Sequence, residues 1–175
     1  MRVGIVLYGA PASGKDTVTA ELTRQDPRFH LFERVKDGPG RTTGYRIVSP
    51  KQFDQLLNSG ELIWSNTRYN ARYAIDRPGM LHLFERGHIP IVHAGQPGVI
   101  QAVQAATPDV RWLVVELRTD RETASARIAA RATGDTDARL RAWDETPNLT
   151  TTDLTIDTTV TSASSAAKAI SSLVA

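Results

Sequence analysis

An α/β fold, with a parallel five-stranded sheet flanked by helices, is predicted by three features of this sequence. Apolar runs without polar alternation recur at Val3–Tyr8, Ile89–Ala94 and Trp112–Leu117, the pattern of strands buried on both faces. Stretches with apolar residues at helical spacing lie between such runs, so strands and helices alternate. A glycine-bounded loop, Gly9-Ala10-Pro11-Ala12-Ser13-Gly14-Lys15-Asp16-Thr17, follows the first run and leads into the first helix. Open parallel sheets gather ligands at this end of their strands.

The elements follow in order. The first helix carries Val18 and Leu22 and is expected to fade near Gln25-Asp26-Pro27. His30–Val35 reads as a second strand, and the turn residues from Lys36 to Gly44 as a loop. Tyr45–Val48 alternates like a short strand. Ser49-Pro50-Lys51-Gln52 then starts a helix, with Ser49 as N-cap, proline at the first position and Gln52 completing a capping box. That helix stops at Gly60. Leu62–Trp64 and Arg72–Ile75 form a second pair of short strands around a loop from Asn66 to Asn70. Met80–Phe84 is a short helix closed by Gly87, and Gly95-Gln96-Pro97-Gly98 turns the next strand into a helix through Ala105. Thr119 and Glu122 are expected to cap the helix that carries Arg127 and Arg131. Leu154–Ile156 gives the last strand, edged by Thr150–Thr152 and Thr158-Thr159, and Ala166–Val174 a final amphipathic helix. The strands and helix between Arg34 and Ile75 break the alternation and read as an insertion.

A chain of 175 residues is most simply one domain, large enough to bury a core without staples. The 41% hydrophobic and 23% charged content is that of a soluble globular protein. Without cysteine there are no disulfides and no thiolate metal sites. The chain shows no charged and apolar leader ahead of the first strand and no run of membrane-spanning length, so the expectation is a cytoplasmic protein with no membrane partner. A net charge of +2 is too mild and too scattered to argue for nucleic acid. The arginines nevertheless gather in three zones, Arg34–Arg46, Arg68–Arg77 and Arg118–Arg141. Each could be a solvated face; beside the glycine loop, the first and third are candidates for binding phosphate.

The chemistry of that loop is direct. Gly9 and Gly14 let the backbone curl so that successive N–H groups point inward, and the following helix adds its positive N-terminus. Strand, Gly-x₄-Gly-Lys loop and helix are the context of a phosphate-binding P-loop, with Gly9, Ala10, Ala12, Ser13, Gly14, Lys15, Asp16 and Thr17 around the nucleotide phosphates. Lys15 is expected to stand at the loop's centre with its charge held for phosphate rather than buried against protein. The residue after the lysine departs from the usual Ser or Thr: here it is Asp16, with Thr17 next. Asp16, Thr17, His93 and water are the candidates for Mg²⁺, and the metal ligands stay unassigned.

Tyr45-Arg46-Ile47-Val48-Ser49-Pro50-Lys51-Gln52-Phe53, followed by Asn58-Ser59-Gly60-Glu61-Leu62-Ile63-Trp64, resembles the acceptor-binding insertion of guanylate kinases. The Gly-Lys-Asp form of the loop and Gly95-Gln96 resemble ribose 1,5-bisphosphate phosphokinase. The resemblance extends from the glycine loop to about Ile156. It implies a P-loop kinase fold: a core over residues 1–33 and 79–175, a small acceptor-binding insertion over about 34–78, and an arginine-bearing lid over about 127–141. It implies ATP and Mg²⁺, and an acceptor phosphate held by Arg34 or Arg41 with Tyr45 and Tyr73, with Trp64 lining an apolar or ring-stacking wall; His93 is added as an acceptor-site candidate because it ends a strand beside the glycine loop. Arg127, Arg131 and Arg139 resemble the lid residues that act with Lys15 on the moving phosphoryl group. Asp157 is placed either near the adenine or as a turn cap.

The implied activity is ATP-dependent transfer to a phosphate-bearing small molecule, a nucleoside monophosphate or a ribose phosphate, by a monomer or homodimer. The alternatives are an authentic guanylate kinase and a non-catalytic binding module. A nucleotide switch is disfavoured, since no Asp-x-x-Gly or Asn-Lys-x-Asp element is present. Ile63 stands where guanylate kinases place the guanine-reading glutamate, so GMP is expected to be a weak acceptor.

Overall fold

Parallel pairing organises the larger of two sheets. The computed structural model describes residues 1–175. Its first strand, β1 (Arg2–Tyr8), lies at the centre of a five-stranded sheet with β2 (Phe29–Leu31), β7 (Ile89–Ala94), β8 (Val110–Arg118) and β9 (Leu154–Asp157). The order is β2-β7-β1-β8-β9 and every pairing is parallel. The expected architecture is therefore present. The strand period of two divides the core: Ile5 and Leu7 pack with Val18 and Leu22 of α1 (Lys15–Gln25) and Ile170 of α7 (Ala163–Val174), whereas Val6 and Tyr8 pack with Met80 and Phe84 of α3 (Arg77–Glu85) and Val99 and Val103 of α4 (Pro97–Ala106). Burying side chains of this size stabilises the fold by about 1.5–3 kcal/mol each before entropy is subtracted.

A second sheet is built from residues 34–76, in the order β4 (Tyr45–Ile47), β3 (Arg34–Asp37), β6 (Ala71–Asp76), β5 (Leu62–Arg68). One face packs on α2 (Pro50–Asn58), where Phe53 meets Val35 and Ala74. The predicted capping box of α2 is present, with Gln52 N donating to Ser49 Oγ at 3.2 Å and Ser49 N to Gln52 Oε1 at 2.8 Å.

Four local expectations are corrected. His30–Val35 is two strands in two sheets: the chain leaves β7 at Phe32, whose N–H still bonds Ile91 O, and re-enters as β3. Lys36 and Asp37 belong to β3, because β6 pairs with them at Tyr73 and Arg72. Asn66–Arg68 is strand rather than loop. The reversal needs only Tyr69 and Asn70, at φ 51° and 60°, the two left-handed positions of a tight hairpin. Finally, Asp120 rather than Thr119 caps α5 (Arg121–Arg131), accepting from Thr123 N at 2.7 Å. Asp157 caps a turn by accepting from Thr159 N at 2.8 Å. A further helix, α6 (Thr136–Glu145), follows α5, and no helix is long and apolar enough to cross a membrane.

Candidate functional site

Between the carboxyl end of the parallel sheet and the free face of the second sheet lies a cleft of about 450 Å³. The glycine loop forms one wall. A Cβ on Gly9 would stand 2.6 Å from Leu117 O and 2.5 Å from Ser13 Oγ, so no other residue fits there without moving the strand end. Gly14 caps α1 at φ 94°, in the left-handed region, and no side chain closes the helix N-terminus. The loop is braced from behind. Arg127 donates to Ala12 O at 3.0 Å and Thr158 O at 3.0 Å, and Thr158 Oγ1 donates to Ser13 O at 2.8 Å.

Lys15 does not stand free, contrary to the sequence-based expectation. Its Nζ donates to Gly9 O at 2.6 Å, Ala10 O at 2.9 Å and Ser13 Oγ at 3.3 Å. Burial, reinforced by the charges of Arg131, Arg34 and Arg68 and opposed by Asp16, pushes its pKa down to about 8. Curled peptide groups offer carbonyls as well as N–H groups, and an ammonium among them takes the carbonyls.

The opposite wall follows from strand alternation. Arg34 and Lys36 project from one face of β3; Tyr45 pairs with Arg34 across β4, and Tyr73 with Lys36 across β6. Asn66 pairs with Tyr73, which brings Asn66 and Arg68 of β5 onto the same face. All six line the cleft. The tyrosine rings lie 5.5 Å apart. Arg34 donates to the carbonyl oxygen of His93, and burial draws its pKa down to about 10. Lys36, Asn66 and Arg68 are absent from the sequence-derived site; their step of two from Arg34 and from one another is the signal that could have found them.

At the base, His93 Nε2 and Thr19 Oγ1 share a 2.7 Å hydrogen bond, while His93 Nδ1 faces Asp16 Oδ1 at 3.8 Å. Burial first, and then the charge of Lys15, draws the His93 pKa down to about 3, so the ring is neutral. Asp16 pairs with Arg41 at 2.9 Å. Burial opposes its ionisation, but the Arg41 hydrogen bond and the surrounding positive groups hold its pKa below the usual carboxylate value. The remaining side is closed by Arg131, Asp135 and Arg139. Arg139 pairs with Asp135 at 2.7 Å and lies 5.4 Å from the Tyr69 ring, at the hairpin tip.

The cleft thus brings together most of the predicted residues: Gly9, Ala12, Ser13, Gly14, Lys15, Asp16, Arg34, Arg41, Tyr45, Tyr73, His93, Arg131 and Arg139. It does not bring in four others. Ala10 does not line the cleft; its carbonyl holds Lys15. Thr17 is exposed on the first turn of α1. Arg127 is the brace described above. Trp64 packs into the core against Gly98, where an added Cβ would meet the ring at 2.8 Å. Ile63 also packs into that core cluster.

No protein-family profile matches the chain. The chain is 30% identical over 112 residues to a guanylate kinase of Streptomyces coelicolor, a match covering 61% of this chain and 56% of that protein, so it spans little more than half of the relative. Among solved structures, guanylate kinase from Anaplasma phagocytophilum superposes with a TM-score of 0.65 at 15% identity, over 98% of this chain and 84% of that one. The APS kinase of Mycobacterium tuberculosis, in complex with AMPPNP and APS, gives 0.53 at 15% identity, over 99% and 98%.

Proposed function

We propose that this chain, whose fold is that of the P-loop kinases of the guanylate kinase type, is an ATP-dependent phosphotransferase whose acceptor is itself a phosphate-bearing small molecule. One observation carries the reading: a single cleft presents two cationic centres on facing walls, Lys15 in the glycine loop and Arg34, Lys36 and Arg41 beside Tyr45 and Tyr73. One centre suits a nucleotide triphosphate, the other a second phosphate. Guanidinium groups bond phosphate in a planar fork, each charge-assisted bond contributing about 1.5–3 kcal/mol. Residues 34–78 serve as the acceptor-binding part and residues 127–141 as the lid.

In the reaction, a phosphate oxygen of the acceptor forms a bond to the γ-phosphorus while the bond to the ADP oxygen breaks. Positive charge around the equatorial oxygens is what the protein must supply. Lys15 leaves its carbonyl partners for the phosphates, and Arg131 and Arg139 reach the moving group from the lid. Arg127 acts indirectly, by holding the loop in shape.

The donor set fits Mg²⁺. No group of three or more His, Asp or Glu side chains forms a ready metal cage, and Mg²⁺ bound with nucleotide needs only one or two carboxylates, with phosphates and water completing its shell. Asp16, next to Lys15 on the cleft wall, is the carboxylate that would hold it. When bound, the ion offsets phosphate charge.

The match to a guanylate kinase supports a second reading, GMP as acceptor. Against it, Ile63 is turned into the core, and Asn66 gives the face one buried carbonyl oxygen for guanine's N1–H and amine together. Leaving a buried donor unpaired costs about 1–3 kcal/mol. A ribose phosphate or a non-guanine nucleotide is therefore expected to be preferred. A coupled ADP-release assay across nucleoside monophosphates and sugar phosphates decides it. GMP leading every other acceptor by a hundredfold would make this a guanylate kinase; no ADP release with any acceptor would make it a binding module.

A further inference from the structure

Lys36 is 2% exposed, yet no carboxylate holds it. Its neighbour Asp37 points to the other face and pairs with Arg72 at 2.6 Å. Of the three Nζ donors one is used, on Arg41 O at 2.6 Å. The rest of its surroundings are aromatic, with the Tyr45 and Tyr73 ring centres at 5.3 and 5.6 Å. Burial first, and then the charge of Arg41, lowers its pKa below the ordinary lysine value. A buried ammonium without a counter-ion is costly, whereas one in a ligand cleft has its partner delivered from outside. The position suits that purpose. Tyr73 stands opposite it in the ladder, Arg34 lies two residues back on the same face, and the side chain lines the cleft. Gly40, at φ +91°, passes over the ammonium, where an added Cβ would lie 3.6 Å from Nζ.

We propose that Lys36 is a direct ligand of the acceptor's phosphate, and that with Arg34 and Arg41 it makes this subsite selective for a doubly charged phosphate monoester. The assignment rests on the phosphotransferase reading for its biological meaning, but its test does not require turnover. Two of the three cations, Arg34 and Lys36, carry no carboxylate partner, and both tyrosines line the same wall. A singly charged carboxylate or phosphodiester leaves that charge incompletely balanced.

The test titrates inorganic phosphate into the whole chain with the glycine loop filled by saturating ADP, using calorimetry or phosphorus NMR, for the native protein and for Lys36→Met and Lys36→Arg. Lys36→Met is expected to weaken phosphate at least tenfold, leave the ADP affinity within twofold and hold or raise Tm. Lys36→Arg is expected to recover most of the phosphate affinity. Acetate and a phosphodiester such as dimethyl phosphate should bind the native protein at least tenfold more weakly than phosphate. Unchanged phosphate affinity in Lys36→Met, or a Tm loss beyond about 4 °C with phosphate and ADP affinities falling together, would mark a structural lysine and overturn the proposal. Phosphate binding lost in Lys36→Met, in a protein that turns over no acceptor, would leave the subsite standing and remove the kinase reading instead.

Discussion

Lys15 should take up a proton when nucleotide binds, and the amount follows from its environment. In the free loop its pKa is drawn down to about 8, by burial above all and by Arg131, Arg34 and Arg68. Phosphates replacing Gly9 O and Ala10 O as partners bring negative charge, which favours the ammonium and raises the pKa again. The uptake is then the neutral fraction of free Lys15, about half a proton per nucleotide at pH 8, about 0.1 at pH 7 and about 0.9 at pH 9. Titration calorimetry with Mg·ADP in two buffers of different ionisation enthalpy reads this number directly. Lys15→Arg keeps a positive charge that does not titrate in this range, so its uptake should vanish at all three pH values while the nucleotide's own protonation cancels in the comparison. The reasoning fails if native uptake does not rise between pH 7 and 9, or if Lys15→Arg shows the same rise.

If Arg131 and Arg139 act as proposed, Arg131→Ala and Arg139→Ala should lower kcat by about 10²–10³, more than they raise the KM for ATP, since a group that bonds the moving phosphoryl most strongly in its transition state acts on kcat; a change in KM alone would reassign either residue to ground-state binding. Arg127→Ala should behave differently. It frees the carbonyls of Ala12 and Thr158, so stability should fall by about 2–3 kcal/mol and the KM for ATP should rise more than kcat falls, as denaturant unfolding and steady-state kinetics would show. His93 stays neutral down to about pH 3 in the fold, against an ordinary pKa of 6.5. A depressed base means that the unfolded chain binds the extra proton, so its contribution to stability is complete above pH 6.5 and is lost as pH falls from 6.5 towards 3. Between pH 6 and 4, native stability should fall more steeply than that of His93→Gln, by up to about 1.4 kcal/mol per pH unit; parallel curves would mean the ring is protonated in the fold.

How much of this was legible in the sequence depended on how local each cause is. The glycine loop declares itself because its requirements lie within nine consecutive residues: a strand end too crowded for a side chain at Gly9, a left-handed cap at Gly14 and a lysine beyond. The capping box at Ser49 and the buried parallel strands were equally readable. Arg127 was not. Its spacing to Arg131 suggests a shared helical face, but residues four apart differ by about 40° around a helix, enough for Arg127 to reach behind the loop while Arg131 lines the cleft.

The cleft wall on the second sheet was hidden for a different reason. Strand alternation names a face only once the register is known, and register is set by pairing across the chain. In β5 the ladder shifts between Leu62 and Trp64. Beyond the shift Trp64, Asn66 and Arg68 point inward, and Ser65 and Thr67 outward. Ile63, at the shift, packs into the core beside Trp64, so the position to which likeness in sequence assigns guanine sensing does not face the cleft. The groups that face a ligand are set instead by Tyr73, which fixes Asn66 on one side and Lys36 on the other through two antiparallel ladders. Asn66 Oδ1 is buried with no hydrogen-bond partner, and its Nδ2 lies 3.4 Å from Gln96 Oε1 at the start of α4. A single buried amide oxygen beside the proposed phosphate subsite can accept from a hydroxyl of the acceptor, but it lacks the second, carboxylate oxygen that would take the paired donors of a guanine edge one each. The wall that sequence likeness assigns to a base is, in this register, chemically suited to a smaller polar group, and that is the physical ground for expecting GMP to be a poor substrate.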